Sequence, residues 1–195
     1  MNYNNAHKNL KHLETVNSGR ESAKQTDGHL STSLRRVFDH LLTRLCVETG
    51  LYYGPRLTTL AIFGSVGRRT PVPDSDIDIL VIAKDLPHGR IARVREFDAI
   101  EAKLENDLAE AAVHGVNTRL SPIFRTEAEM NVGGLIFLDM IDDARILFDR
   151  DSFFQRYLDR LRNTLSKNKA VRVRTGSTWH WVLKPDLKPG EEFEL

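Results

Sequence analysis

From residue 31 onward the apolar positions fall into helical and strand-like periods, whereas the first thirty residues show neither. Only Met1, Tyr3, Ala6, Leu10, Leu13, Val16, Ala23 and Leu30 are apolar in that opening stretch, eight of thirty against 41% for the whole chain. A segment with so little to bury does not offset the entropy of ordering it, so residues 1–30 are expected to form a mobile tail. Order is expected from Ser31. Leu34, Val37, Phe38, Leu41, Leu42, Leu45 and Cys46 recur at the spacing of an amphipathic helix, with Ser31 to Ser33 as caps and Gly50 as the stop. Cys46 continues this stripe and reads as a packed thiol.

Leu57 to Phe63 predicts a first strand, ending at Gly64-Ser65, and Asp76 to Ala83 a second. Between Gly89 and His114, Ile91, Val94, Phe97, Ile100, Leu104, Leu108 and Ala111 predict a long helix. Val116 to Arg125 follows as a third strand, in which Pro122 suits only an edge or a bulge. A helix is expected from about Glu127 to Ile141, a short strand over Arg145 to Phe148, an amphipathic helix over Ser152 to Lys167, and strand character at Thr178 to Leu183. This order predicts an α/β (α+β) fold, a small mixed sheet flanked by helices. The division expected is a tail over 1–30, a domain over 31–149, and a C-terminal helix-plus-strand extension over 150–195.

Charge and composition narrow the class of function. With 28 basic and 27 acidic residues in 195, the net charge of +1 sets up no chain-wide field toward nucleic acid. The single cysteine excludes an intrachain disulfide framework and a cysteine-clustered zinc site. No run of about 18 apolar residues is present, and the opening residues hold no apolar stretch of a secretory signal. A soluble, cytoplasmic protein with no membrane partner is the expectation.

The chemistry concentrates in Gly64 to Ile82, GSVGRRTPVPDSDIDILVI. Asp76 and Asp78 lie two apart in an otherwise apolar strand, which puts both carboxylates on one face, about 7 Å apart along the backbone. Ile77, Ile79 and Val81 take the opposite face. Two like charges held this close repel, and a divalent cation relieves them. Mg²⁺ accepts one or two carboxylates together with water and phosphate oxygens, so the pair suits a metal–nucleotide seat. Gly64 permits close approach of backbone N–H groups to an anion, Ser65 adds a hydroxyl donor, and Arg68 and Arg69 supply forked donors for phosphate. A DxD or a Gly-Ser pair alone is commonplace. Their combination, ten residues apart at the ends of two strands, favours the functional reading.

At these residues the chain resembles the nucleotidyltransferase superfamily that includes DNA polymerase β, and within it the minimal nucleotidyltransferases. The resemblance rests on Gly64, Ser65, Arg68, Asp74, Ser75, Asp76, Ile77, Asp78 and Val81, with the spacing matched. It implies a nucleotidyltransferase fold over about Ser31 to Arg150. Ser65, the local backbone and Arg68 would hold the triphosphate, and Asp76 and Asp78 would bind Mg²⁺. The implied activity is transfer of a nucleoside monophosphate from an NTP, ATP first, to a hydroxyl on a protein, a nucleic-acid end or a small molecule.

Two departures from the family pattern stand out. Arg69 occupies a position where a small residue or glycine is usual. The strand that should carry a third aspartate reads VNTRLSPIFRT, with Ser121 or a neighbour in the expected region and no aspartate between Asp107 and Asp139. Glu127 is the nearest acid downstream, a candidate surrogate whose ordinary role is to open the following helix. Without the third ligand, the metal that would acidify an acceptor hydroxyl is weakened, and nucleotide binding should survive better than catalysis. The resemblance therefore implies a second reading as well. Minimal nucleotidyltransferases pair with small helical HEPN-type proteins, in some cases as antitoxins, and a non-catalytic regulator of that kind is the alternative.

Two features of the C-terminal stretch fit either role. Arg150 to Arg174 carries eight basic residues against Asp151 and Asp159, which suits a solvated helix face or contact with nucleic acid. Trp179 and Trp181 alternate along a strand and share a face, as packing against the domain or in a homodimer.

Overall fold

Two strands at the centre of the sheet are buried on both sides, and this decides how everything else is arranged. The computed structural model describes residues 32–176 and 178–187. The tail expected over 1–30 lies outside the described residues, as do Ser177 and residues 188–195. Strands β1 (Leu57–Phe63) and β2 (Ile77–Ala83) have six buried residues each. With β3 (Leu120–Arg125) and β4 (Arg145–Asp149) they form a sheet in the order β3-β2-β1-β4. β1 is antiparallel to β2 and β4, and β2 is parallel to β3. The parallel step requires a crossover, which the 24-residue helix α3 (Arg90–Val113) provides. Pro122 sits on edge strand β3, where a missing donor costs nothing.

Alternation along β2 sends Ile77, Ile79 and Val81 to one face and Leu80 and Ile82 to the other. The first set packs with Phe38, Leu41, Leu42 and Leu45 of helix α1 (32–53) and with Phe97, Ile100 and Leu104 of α3. One turn of helix, α2 (Gly64–Gly67), and the short α4 (Glu127–Met130) connect strands to helices. The second set of β2 residues packs with Phe137, Met140 and Ile141 of α5 (Ile136–Asp143) and with Phe154 and Leu158 of α6 (Phe153–Lys167). Each such side chain contributes about 1.5–3 kcal/mol on burial, so covering both faces is the main source of order here. The C-terminal helix is part of this core.

Four elements depart from expectation. α1 runs through Gly50 to residue 53 and stops at Gly54-Pro55. A helical glycine costs about 1 kcal/mol against alanine, less than is gained by burying Tyr53, which is 1% exposed. The helix expected over 127–141 is two helices, because Gly133 adopts φ 72° and breaks the turn after Met130. β3 begins at Leu120, later than expected. The C-terminal tail holds a hairpin, β5 (Val171–Thr175) paired with β6 (Thr178–Val182), where one strand was expected. Trp181 and Leu183 pack on the second core cluster; the side chain of Trp179 lies outside the described residues. Cys46 is a packed thiol, partly buried against the first cluster, and burial pushes its pKa up.

Arg93 ties α3 to the loop before it and to α4. Its Nε donates to the Pro87 carbonyl at 2.8 Å, and its two Nη atoms donate to the carboxylate of Glu129 at 2.8 and 2.7 Å. This clamp holds the Glu129 carboxyl down to about 2. An ordinary glutamate titrates near about 4.3, so the clamp contributes its full stability above that pH and loses it as pH falls toward the folded value. Arg93→Ala is expected to cost about 1–2 kcal/mol at pH 7, discounted for the half-exposed carboxylate. Urea unfolding at pH 7 and pH 3 should show the deficit of the variant shrinking with acid.

Candidate functional site

The antiparallel pairing of β1 with β2 places Phe63 opposite Asp78, so the turn leaving β1 lies beside the start of β2. Gly64 opens that turn at φ 65°, a left-handed conformation, and a Cβ built there would lie 2.1 Å from Asp78 Oδ2. Only glycine allows the carboxylate to sit so close to the backbone. Asp76 precedes β2 by one residue and is exposed, while Asp78 is half-buried. Burial, and then the charge of Asp76, raise the Asp78 pKa; Arg68 pulls the other way. Neither aspartate forms an ion pair among the described residues. Two carboxylates with no cation partner, facing a backbone stripped of side chain, suit a small hard cation that completes its shell with phosphate oxygens and water.

The ten residues between Ser65 and Asp76 are folded back on themselves. Ser65 Oγ donates to Ser75 Oγ at 3.0 Å, and Ser75 Oγ accepts the Val72 N–H at 2.9 Å. The Thr70 N–H donates to the Ser65 carbonyl at 2.9 Å. Ser75, to which the sequence assigned no role, is therefore the buried post that holds the Gly-Ser turn against the acidic strand.

Arg68 stands at this turn and is braced from behind. Its Nη1 lies 3.0 Å from Asp143 Oδ2, at the C-terminal end of α5. Asp143 is nearly buried, and Arg172 from β5 approaches it at 3.6 Å and Asp139 at 3.7 Å. A Cβ on Gly67 would lie 2.6 Å from the Asp143 carbonyl, so the α2–α5 approach also depends on a glycine. No motif or periodicity links Arg68 to Asp143, 75 residues on, or to Arg172 beyond it, so neither is legible in the sequence as part of the site. Arg150, Arg162 and Lys169 of the basic stretch also make internal contacts, with the Leu57 carbonyl, the Ile141 carbonyl and Asp186.

Gly64, Ser65, Arg68, Asp76 and Asp78 are thus gathered at one end of the sheet. Arg69 is directed elsewhere. It has φ 61°, which costs a non-glycine residue about 1–2 kcal/mol, and its side chain lines a cleft with Phe38, Leu42 and Arg145. The left-handed backbone is a physical reason for glycine to be usual at this position.

Among the described residues no third acid joins the pair. In the parallel register Asp78 faces Ser121, and the next pair is Ile79 with Pro122. Glu127 does not serve as a surrogate. Its Oε1 accepts from Thr58 Oγ1 at 2.7 Å and lies 3.9 Å from Lys84 Nζ, at the opposite end of β1 and β2. It opens α4 in the ordinary way. Among the described residues no three His, Cys, Asp or Glu side chains are grouped to hold a metal, and no helix is long and apolar enough to cross a membrane.

Residues 52–131 match the family model of the nucleotidyltransferase domain. The chain is 25% identical over 146 residues to a Methanocaldococcus jannaschii protein assigned by name as a protein adenylyltransferase, covering 74% of this chain and 94% of that one. Among solved structures, a toxin–antitoxin structure with AMP-PNP aligns at a TM-score of 0.38 and 16% identity, over 67% of this chain and 91% of the other. A protein from Sulfolobus solfataricus assigned as a nucleotidyltransferase aligns at 0.34 and 20% identity, over 63% and 88%. TM-scores of this size carry no functional likeness.

Proposed function

We propose that this chain, whose residues 52–131 match the model of the nucleotidyltransferase domain, moves a nucleoside monophosphate from an NTP, ATP first, to a hydroxyl acceptor with release of pyrophosphate. A protein hydroxyl is the acceptor in first place, in keeping with the name of the archaeal relative. The observation that carries this reading is the unpaired Asp76–Asp78 couple against the bare Gly64 backbone. In the reaction, the acceptor oxygen forms a bond to the α-phosphorus as the bond from that phosphorus to the oxygen bridging the α- and β-phosphates breaks. The hydroxyl proton passes to solvent and pyrophosphate leaves.

Each residue has a distinct task. Asp76 and Asp78 would hold Mg²⁺, which when bound neutralises charge on the triphosphate. Gly64 lets the phosphates approach the backbone, and Ser65 supplies a hydroxyl. Arg68 donates to a phosphate oxygen while Asp143, and Arg172 behind it, fix its direction. Ser121, in the place of a third acid, offers a hydroxyl and no negative charge. The chain is therefore better equipped to grip a nucleotide than to deprotonate the acceptor, and slow turnover follows. A cytoplasmic setting, where ATP and Mg²⁺ are supplied, suits this chemistry.

Ser121 also favours a second reading, a nucleotide-binding regulator that pairs with a small helical HEPN-type protein and transfers nothing. ATP labelled at the α- or the γ-phosphate separates the two. With Mg²⁺ or Mn²⁺, the first reading expects α-label, and no γ-label, on the protein or on a co-purifying partner. Nucleotide bound with neither label transferred would leave the regulator as the function.

A further inference from the structure

The C-terminal hairpin touches the brace behind Arg68 through one side chain. β5 and β6 form a two-stranded sheet of their own, separate from the four central strands. Both lie beyond residues 52–131, the span matched by the family model. Arg172 of β5 pairs in register with Trp181 of β6, so the two side chains share a face of the hairpin. That face is turned to the domain. Trp181 packs on the second core cluster, and Arg172 Nη2 lies 3.6 Å from Asp143 Oδ2 and 3.7 Å from Asp139 Oδ1.

Arg68 Nη1 lies 3.0 Å from that same Oδ2 atom. One carboxylate oxygen therefore serves two guanidinium groups. The side chain of Asp143 is 10% exposed and that of Asp139 62%, so Asp143 is the less screened charge of the two. Alone with Arg68, Asp143 would cancel the positive charge at the Gly64 turn. With Arg172 in place two cations face one little-screened carboxylate, and the excess positive charge is left for a phosphate oxygen.

The hairpin that delivers Arg172 is lightly held. A two-stranded sheet is marginally stable by itself in water, so its order comes from docking. Val171, Arg174 and Thr175 of β5 are exposed. The buried indole Nε1 of Trp181 has no hydrogen-bond partner among the described residues, a cost incurred on docking. Elements of this kind detach at a lower free energy than the core.

We infer that Arg172 is a positioning residue of the nucleotide site, and that docking of the C-terminal hairpin sets how tightly Arg68 holds the triphosphate. Docked, Arg172 neutralises Asp143 and leaves the charge of Arg68 to the phosphate. Undocked, Asp143 neutralises Arg68. The inference rests on the proposed role of Arg68 toward phosphate. Such coupling is reciprocal, so a bound triphosphate also favours the docked hairpin.

Calorimetric titration of the full chain with ATP and Mg²⁺ tests it. Arg172→Ala is expected to bind at least about fivefold more weakly than wild type, and Arg172→Lys, which keeps the charge, to recover most of that loss. Adding Asp143→Asn to Arg172→Ala is also expected to recover most of it, because the amide still accepts from Arg68 and no longer cancels its charge. A hairpin that merely packs on the domain would give no such recovery. In the reciprocal measurement, saturating Mg²⁺–ATP is expected to slow amide hydrogen exchange in β5 and β6 at least about fivefold in the wild type, and not in Arg172→Ala. Wild-type affinity in Arg172→Ala would overturn the inference and leave nucleotide binding standing. So would a double variant no tighter than Arg172→Ala, or hairpin exchange that ignores the nucleotide. Failure of the wild type to bind Mg²⁺–ATP would overturn the proposed function together with the inference.

Discussion

Gly64→Ala is expected to weaken Mg²⁺–ATP binding at least about a hundredfold, equivalent to about 2.7 kcal/mol, in a protein that still folds. The added methyl would lie 2.1 Å from Asp78 Oδ2. Either the carboxylate rotates away from the turn or the turn moves away from the carboxylate, and both separate the cation seat from the phosphate seat. The backbone adds its own cost, since alanine at φ 65° is strained by about 1–2 kcal/mol. For a chain of this length that corresponds to a fall in Tm of about 2–8 °C. Calorimetry for binding and differential scanning for Tm measure the two effects separately. A wild-type affinity in this variant would mean that Asp78 and the Gly64 turn do not act on the same ligand.

The second large effect carries opposite signs for stability and binding. Asp76→Asn/Asp78→Asn is expected to abolish Mg²⁺-dependent ATP binding and to raise Tm. Asp78 is half-buried and desolvated, its neighbour carries the same charge, the pull of Arg68 offsets these only in part, and neither aspartate forms an ion pair among the described residues. In the metal-free protein the charged pair is thus a strain on the fold, and neutral amides of the same shape remove it. A gain in stability with loss of binding is the mark of groups retained for a ligand. If the variant unfolds at lower temperature than wild type, the pair is structural and the electrostatic account of the site is wrong.

What the sequence made legible and what it hid divide along a physical line. β1 is found at its expected limits, and β2 begins one residue late, because each is an uninterrupted apolar run between turn residues. The gathering of Gly64, Ser65, Arg68, Asp76 and Asp78 was also readable, since a strand, a turn and an adjacent strand bring a local motif together. Gly50 misled because tertiary burial of Tyr53 outweighs a local helix penalty. Glu127 was placed by strand direction: β3 runs parallel to β2, which carries the acid after its C-terminus to the far end of the sheet. Asp143 and Arg172 became visible only through packing, as the core closes α5 and the C-terminal hairpin over the second sheet face. Arg69 reads as one more phosphate donor beside Arg68 until its left-handed backbone turns it to the opposite face.

The proposed chemistry rests on Asp76 and Asp78 holding a divalent ion that in turn holds a polyphosphate. Titration of the wild-type chain with ATP, once with Mg²⁺ and once with EDTA, measures this directly. Binding is expected to need the metal and to be at least about tenfold weaker without it, a difference of about 1.4 kcal/mol. Equal affinity in the two buffers would contradict it.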